Sequence, residues 1–196
     1  NEVAPVLAAS LNTEVPLIAI HLTRPPINIP DRKKLGIVSH KEAAKGAYII
    51  KDYVDGEPKE GLVIIRGTSS TNSLIKILPE IIESGPNIKI VAAISWELFN
   101  RQSKNYQEKT VNTHEWNDAM IITNTGIKLM GKWIVNPIVE KYSLSPDFDD
   151  QWRTGGSVNE IITESKLDSK SLWDGIMRFV KDRPKRLDYL KNLYPR

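Results

Sequence analysis

The feature that most constrains the fold is an alternation of short apolar runs with helical patterns from residue 46 onward. Continuous apolar runs of this length are typical of parallel strands, which are buried on both faces. They cover residues 46–50, 61–65, 88–94 and 119–123. Between two of them, Leu74, Leu78 and Ile81 repeat at helical spacing. Short connections between strands and helices predict an α/β protein, a three-layer α/β/α sandwich with a mostly parallel sheet.

Local signals sharpen several of the predicted elements. Leu17–Leu22 is a short, partly β-branched apolar run that indicates a buried strand. Ser70 and Thr71 are suited to cap a helix that reaches about residue 84. Residues 127–141 carry a helical pattern in which Pro137 should start a new helix or kink the old one. His114, beside Glu115 and Trp116, is expected in a loop.

Length and composition limit the architecture and the classes of function. The chain has 196 residues, enough to bury about 70% of the unfolded surface. Pro25, Pro26 and Pro30 break regular structure and precede a polar stretch, which places a domain boundary near residues 25–45. The absence of cysteine excludes disulfides, thiolate catalysis and cysteine-based zinc sites, and it fits a reducing compartment. No secretory signal or membrane-spanning run is expected.

The positive charge of the chain is concentrated at its C-terminal end. The net charge is +3, but residues 181–196 carry six basic and two acidic side chains. The rest of the chain is therefore close to neutral. A basic tail of this kind indicates a solvated surface, and no nucleic-acid partner is predicted.

One turn has the sequence of a possible anion site. Thr68, Ser69 and Ser70 follow a predicted strand and open a predicted helix, the geometry in which backbone N–H groups bind phosphate. The stretch lacks the glycine and lysine pattern of a phosphate-binding loop and the three-glycine dinucleotide pattern. A tight turn closed by hydroxyl groups is the simpler interpretation.

The titratable clusters do not predict a metal site or a catalytic residue. His21, His40 and His114 do not have the spacing of metal ligands. His21 would lie at a strand end, where a hydrogen-bonded structural role is the favoured interpretation. Asp147, Asp149 and Asp150 are close together but do not match a calcium loop, so a solvated turn is favoured.

Arg24 is the most informative candidate for binding. It follows the first predicted strand and precedes a rigid proline pair. A guanidinium group held at the mouth of a sheet is suited to bidentate binding of phosphate. The residues alone leave open the alternative of an ordinary surface arginine.

The order of several motifs resembles the transketolase family. Ser95-Trp96-Glu97-Leu98-Phe99, followed by Gln102 and Tyr106, is similar to a segment of the transketolase C-terminal domain. Asn1-Glu2 before a short helix, and a run ending in Leu22-Thr23-Arg24, resemble the end of the pyrimidine-binding domain. Further similar stretches, in chain order, are Lys45-Gly46-Ala47-Tyr48, Gly61 to Ser70 and Asp149 to Gly156.

The resemblance implies a specific organisation and activity. Residues 1–30 would end the pyrimidine-binding domain, 31–45 would be a linker, and 46–196 would be the transketolase C-terminal domain. Transketolases transfer two-carbon ketol units between sugar phosphates with thiamine diphosphate and a divalent cation such as Mg²⁺. By match, Arg24 would bind the substrate phosphate.

The same resemblance predicts what this chain does not do alone. In the family the cofactor and metal are held by earlier domains, so no cofactor is expected in this chain by itself. It would serve as a scaffold and support a homodimer together with the remaining domains or subunits, in the cytoplasm.

Two departures from the family pattern keep alternatives open. Arg24-Pro25-Pro26-Ile27 stands where the family usually has Arg-Gln-x-Leu-Pro, and Gln151-Trp152-Arg153 is bulkier than the family's Phe-Gly. The first component of a 2-oxoacid dehydrogenase shares this domain order. A subunit of a split enzyme and a non-catalytic regulatory module that binds a nucleotide or another anion are the other possibilities.

Overall fold

The computed structural model describes residues 1–22, 27–153 and 155–193, and a four-stranded sheet lies at its centre. The strands are β1 (Ala47–Lys51), β2 (Leu62–Arg66), β3 (Lys89–Ala93) and β4 (Ala119–Thr123). Their order is β1-β3-β2-β4; β2 is parallel to β3 and β4, and β1 is antiparallel to β3. The predicted α/β fold with a mostly parallel sheet is confirmed.

Helices connect and cover the strands. In chain order, those of the described residues are α1 (Val3–Leu11), α2 (Thr68–Glu83), α3 (Trp96–Asn100), α4 (Lys104–Thr110), α5 (Thr113–Asn117), α6 (Pro137–Tyr142), α7 (Val158–Glu164), α8 (Ser169–Lys181) and α9 (Arg183–Leu193). Two 3-10 helices cover His40–Lys45 and Ile127–Trp133. Pro137 starts α6, as its fixed φ and missing N–H favour.

Alternate residues of the strands face two separate cores, which makes the sandwich three-layered. Val63 and Ile65 of β2 pack with the apolar face of α2 and α8. Leu62 and Ile64 face the other way and pack with Phe99 of α3 and with the second 3-10 helix. This alternation follows from the period of two along a strand.

Three local predictions are wrong. Leu17–Leu22 is not a strand: Leu17 is 81% and Leu22 is 68% exposed, and no described strand pairs with the segment. A strand needs a neighbouring strand to pair its backbone N–H and C=O groups, and an apolar composition alone does not provide that neighbour. The helix α2 begins at Thr68, before the predicted caps, because Gly67 takes the N-cap position with φ +93°. His114 lies in α5, whose capping box is formed by Asn112 and Glu115.

Gly46 joins β1 closely to the start of α3. Its carbonyl oxygen accepts hydrogen bonds from the N–H groups of Ile94 (2.8 Å) and Ser95 (2.9 Å). Its φ is +86°, and a Cβ atom there would meet the backbone of Ser95, Leu98 and Phe99. Only glycine fits this contact without strain.

The segment before the domain is held by a polar cluster. Glu2 accepts a hydrogen bond from the Tyr48 hydroxyl at 2.5 Å and pairs with Arg32. Burial, and then the nearby Glu2 carboxylate, raises the pKa of Tyr48 above its ordinary value, so the phenol stays a donor. The predicted linker also contributes Ile37 and Ala43 to the main core. The proposed domain boundaries themselves stay predictions.

A buried ion-pair cluster anchors the C-terminal helix α9. Asp118, just before β4, accepts hydrogen bonds from Arg186 Nε (2.7 Å) and Arg183 Nε (3.1 Å). The Arg186 side chain is fully buried, and its guanidinium carbon lies 3.5 Å from the centre of the Phe179 ring. These contacts tie α9 to α8 and to the sheet.

Across the described ranges, every helix is too short or too polar to cross a bilayer.

Candidate functional site

A large cleft lies at the carboxyl edge of the parallel strands. Its volume is about 980 Å³, and the residues that follow β2, β3 and β4 line it, among them Gly67, Ser95 and Asn124. Parts of residues 1–22 and 27–30 also line it. Open α/β sheets bind ligands at this edge, so the cleft is the candidate ligand site.

The predicted anion-binding turn borders this cleft, but the hydroxyl groups of Ser70 and Thr71 are used within the turn. Ser70 Oγ donates to the carbonyl oxygens of Arg66 (2.6 Å) and Gly67 (3.1 Å), and Thr71 Oγ1 donates to Gly67 at 2.7 Å. Thr68 is exposed, and Ser69 is half-buried. The hydroxyl bonds are those of a tight turn, and anion binding by Thr68, Ser69 and Ser70 stays a prediction.

Asn124 completes this part of the cleft and has no counterpart among the predicted site residues. Its side chain occupies the space that a Cβ of Gly67 would need, so the glycine is required by the close approach of the amide. Asn124 Oδ1 is buried and lacks a hydrogen-bond partner among the described residues. Sequence reasoning missed this contact because the two residues are brought together only by the pairing of β2 with β4.

Arg24, the predicted phosphate-binding residue, lies outside the described residues. The residues on both sides of the gap line the carboxyl-edge cleft: His21 and Leu22 before it, and Ile27 and Asn28 after it. The role of Arg24 therefore stays a prediction.

The histidines and aspartates are dispersed or paired. His21 is exposed in an irregular segment instead of at a strand end, and His114 is exposed on α5. Asp147 accepts the N–H of Ile127 at 3.0 Å. Arg153 donates to Asp149 at 2.6 and 2.8 Å, and these hydrogen bonds lower the pKa of the Asp149 carboxyl. No group of three or more side chains suited to a metal occurs in the part of the chain that the structure describes.

The Ser-Trp-Glu-Leu-Phe segment has a structural role. Ser95 caps α3 by accepting the N–H of Leu98 at 3.3 Å. Trp96 and Phe99 belong to an aromatic cluster centred on Trp133, whose ring centre lies 5.2 Å from that of Trp96 and 5.4 Å from that of Phe99. Trp116 joins at 5.8 Å and donates its indole N–H to the Trp133 carbonyl at 2.9 Å. The motif therefore builds one of the two cores.

The later residues of the same motif also hold the domain together. Tyr106 donates its hydroxyl to the carbonyl oxygen of Ala47 in β1 at 2.8 Å, and burial raises the pKa of this phenol. Gln102 donates to the carbonyl of Leu98 at 2.9 Å, which closes the end of α3. The first contact connects α4 to β1, and the second stabilises the end of α3.

Comparisons with known proteins identify similar chains among transketolases. No protein-family model matches. A chloroplastic transketolase from Craterostigma plantagineum is 33% identical over 95 residues, covering 46% of this chain and 18% of that protein. A chloroplastic transketolase from Solanum tuberosum is 33% identical over 79 residues, covering 40% of this chain and 10% of that protein. The chain thus spans less than a fifth of the length of these two relatives.

Solved transketolases have the same fold. A transketolase variant from Pichia stipitis aligns with a TM-score of 0.53 and 15% identity, over 74% of this chain and 19% of that one. The transketolase from Leishmania mexicana aligns with a TM-score of 0.52 and 14% identity, over 75% of this chain and 20% of that one. In sequence and in fold, this chain is similar to a part of transketolases.

Proposed function

We propose that this chain is the C-terminal part of a transketolase-like enzyme that transfers two-carbon ketol units between sugar phosphates. The observation that carries the proposal is the agreement of 33% identity over 95 residues with the shared α/β fold. The complete enzyme would use thiamine diphosphate and Mg²⁺, held by segments that the resemblance assigns to earlier domains.

In this proposal the chain is a scaffold without a cofactor site of its own. The residues that carry the resemblance support this role, because Ser95, Trp96 and Phe99 are engaged in capping and in the aromatic cluster. Their contribution to catalysis would be indirect: they hold the domain that packs on the rest of the enzyme and supports its dimer.

Arg24 is proposed to bind the phosphate of the substrate. The neighbouring residues line the cleft at the carboxyl edge of the sheet. One transketolase of similar fold, from Pichia stipitis, was solved in complex with sedoheptulose 7-phosphate. A guanidinium group is always charged and can donate two parallel hydrogen bonds to a phosphate dianion.

Arg24→Ala in the complete enzyme should raise the KM for phosphorylated ketose donors. Loss of a charge-assisted hydrogen bond costs about 1.5–3 kcal/mol, which corresponds to a KM increase of roughly 10- to 100-fold. The KM for a donor without phosphate should change less than about twofold on the same argument. Steady-state kinetics with both donors measures the difference.

Two control variants make this test specific. Arg24→Lys keeps the positive charge but loses the two parallel hydrogen bonds of the guanidinium group. Its KM for phosphorylated donors should therefore lie between those of wild type and Arg24→Ala. Arg101→Ala removes an exposed arginine that lines the same cleft and should leave both KM values near wild type. Equal KM changes for phosphorylated and unphosphorylated donors in Arg24→Ala would remove this residue from the phosphate role.

The size of the carboxyl-edge cleft favours one alternative, a regulatory module that binds a nucleotide or another anion near Thr68, Ser69 and Ser70. A large thermal stabilisation of this chain by one nucleotide would favour that alternative.

The similarity to transketolases favours the ketol-transfer proposal over a 2-oxoacid dehydrogenase component. Other protein chains that copurify with this one would indicate that it is a subunit of a split enzyme.

The location and assembly of the protein are also proposals. Several curated relatives are named as chloroplastic, so the cytoplasmic location expected from the sequence stays a prediction. A homodimer is proposed from the resemblance alone.

A further inference from the structure

A second, smaller pocket lies between α6, α8 and α9. Its volume is about 420 Å³, within the range of small-molecule sites. Arg186 forms part of its wall and reaches Asp118 before β4 and the carbonyl of Glu60 before β2. The pocket is therefore near the amino ends of these strands, at the edge opposite the carboxyl-edge cleft.

The walls of this pocket carry mostly basic side chains. Among the described residues that line it, Lys141, Arg178, Lys185 and Arg186 are basic and Asp182 is the one carboxylate. That carboxylate is already engaged, since it accepts hydrogen bonds from Lys185 at 3.0 Å and from the Tyr142 hydroxyl at 3.2 Å. Within the described residues, neither Lys141 nor Arg178 forms an ion pair.

Part of the positive charge at the C-terminal end of the chain lies in this pocket. From composition alone, the basic residues after 180 indicate a solvated tail. The structure instead brings Lys185 and Arg186 from that tail together with Lys141 of α6 and Arg178 of α8. Lys185 and Arg186 are each paired with an aspartate, so the uncompensated charge in the described part of this surface comes from Lys141 and Arg178. Positive charge around a concave surface raises the local concentration of anions.

Arg186 is a buried part of the pocket wall. The residue is 1% exposed. Its Nε donates to Asp118 and its Nη2 to the carbonyl of Glu60 at 3.3 Å, while Nη1 is buried without a partner among the described residues. The buried guanidinium charge is thus only partly compensated by hydrogen bonds, and an anion bound nearby in the pocket would stabilise it.

We propose that this pocket binds a small phosphate-bearing molecule, with the exposed Arg178 and Lys141 as donors to the phosphate group and the buried charge of Arg186 nearby. The excess of positive charge favours a dianion over a monocarboxylate, and both arginine and lysine are phosphate-binding residues. The pocket is larger than a phosphate group, so the organic part of the molecule would lie beside the exposed ring of Tyr189. Nothing in the ketol-transfer proposal requires this site.

The test is a titration of the 196-residue chain with inorganic phosphate, followed by NMR at constant ionic strength. Saturable shifts of the Arg186 side-chain N–H signal and of backbone signals around the pocket are expected. The double variant Lys141→Ala/Arg178→Ala should weaken phosphate binding at least tenfold. The double variant Lys128→Ala/Lys132→Ala removes two exposed lysines outside the pocket and should leave phosphate binding within twofold of wild type.

Acetate titrated in the same way tests the selectivity for a dianion and should bind at least tenfold more weakly than phosphate. The proposal is overturned if phosphate gives no saturable shift, if acetate binds equally well, or if both double variants weaken binding alike. The Arg186 signal is read in the wild-type chain, so the test does not depend on whether an Arg186 variant folds.

Discussion

Replacing Asp118 by alanine is expected to lower the free energy of unfolding by about 3–5 kcal/mol, the usual loss when one partner of a buried ion pair is removed. The carboxylate accepts hydrogen bonds from Arg186 and Arg183, and Arg186 has no access to solvent. Burial lowers the pKa of Arg186, because its charge is poorly solvated. Without Asp118, that charge would remain buried with the Glu60 carbonyl as its one acceptor among the described residues. Urea unfolding followed by circular dichroism measures the change.

Asp174→Ala is the matched control for Asp118. Asp174 also forms an ion pair, at 2.7 Å to Lys170, but both side chains are largely exposed on α8. Exposed pairs of this kind contribute little to stability, so the urea midpoint should not move measurably. Equal midpoints for the Asp118 and Asp174 variants would contradict the assignment of the Asp118 cluster as the anchor of α9.

Trp133→Ala should cost about 3–5 kcal/mol of unfolding free energy, as large-to-small substitutions of buried aromatic residues do. Trp133 is 2% exposed and contacts Trp96, Phe99 and Trp116. Its removal would leave a cavity between α3, α5 and the sheet, and these helices could close it only by moving the backbone. The measurement is urea unfolding monitored by far-UV circular dichroism, which does not rely on tryptophan emission.

Trp152→Ala provides the same chemical change at a position that is 88% exposed. It should leave the free energy of unfolding unchanged within error, because no packing is lost. If Trp133→Ala cost less than about 1 kcal/mol, well below the usual range, the aromatic cluster would not be the second core of the domain.

The domain core was predictable because its signals are local. The apolar runs at residues 61–65 and 119–123 are strands by length and composition alone, and β2 and β4 lie within one residue of them. Pro137 likewise starts α6 because its backbone geometry is set by the residue itself. Elements of this kind can be predicted without knowing which other elements they pack against.

The wrong prediction of a strand at Leu17–Leu22 arose because the outcome depends on a distant partner. Leu17–Leu22 has the composition of a strand, but no described strand lies beside it, and it remains irregular. The same limit applies to the sites. The contact of Asn124 with Gly67 and the meeting of Lys141, Arg178 and Arg186 join residues that are far apart in sequence.

The family resemblance was recognised from motif order, although the physical role of the central motif was not visible in the sequence. Ser95-Trp96-Glu97-Leu98-Phe99 has no catalytic pattern, and the structure shows that it caps α3 and fills the aromatic cluster. The motif is useful for recognising the family because its side chains are fixed by packing in the core. The candidate with a chemical role, Arg24, is the one that kinetics must test.

The central claim, that this chain is part of a thiamine-diphosphate-dependent ketol transferase, is tested most directly by ketol transfer in the complete protein that contains it. We expect transfer of a two-carbon unit from a ketose phosphate to an aldose phosphate, lost when thiamine diphosphate is removed and restored when it is returned with Mg²⁺. The 196-residue chain titrated alone with the cofactor and Mg²⁺ should show no tight binding. A complete protein that transfers no ketol unit in the presence of both, or an isolated chain that binds the cofactor tightly, would contradict the account.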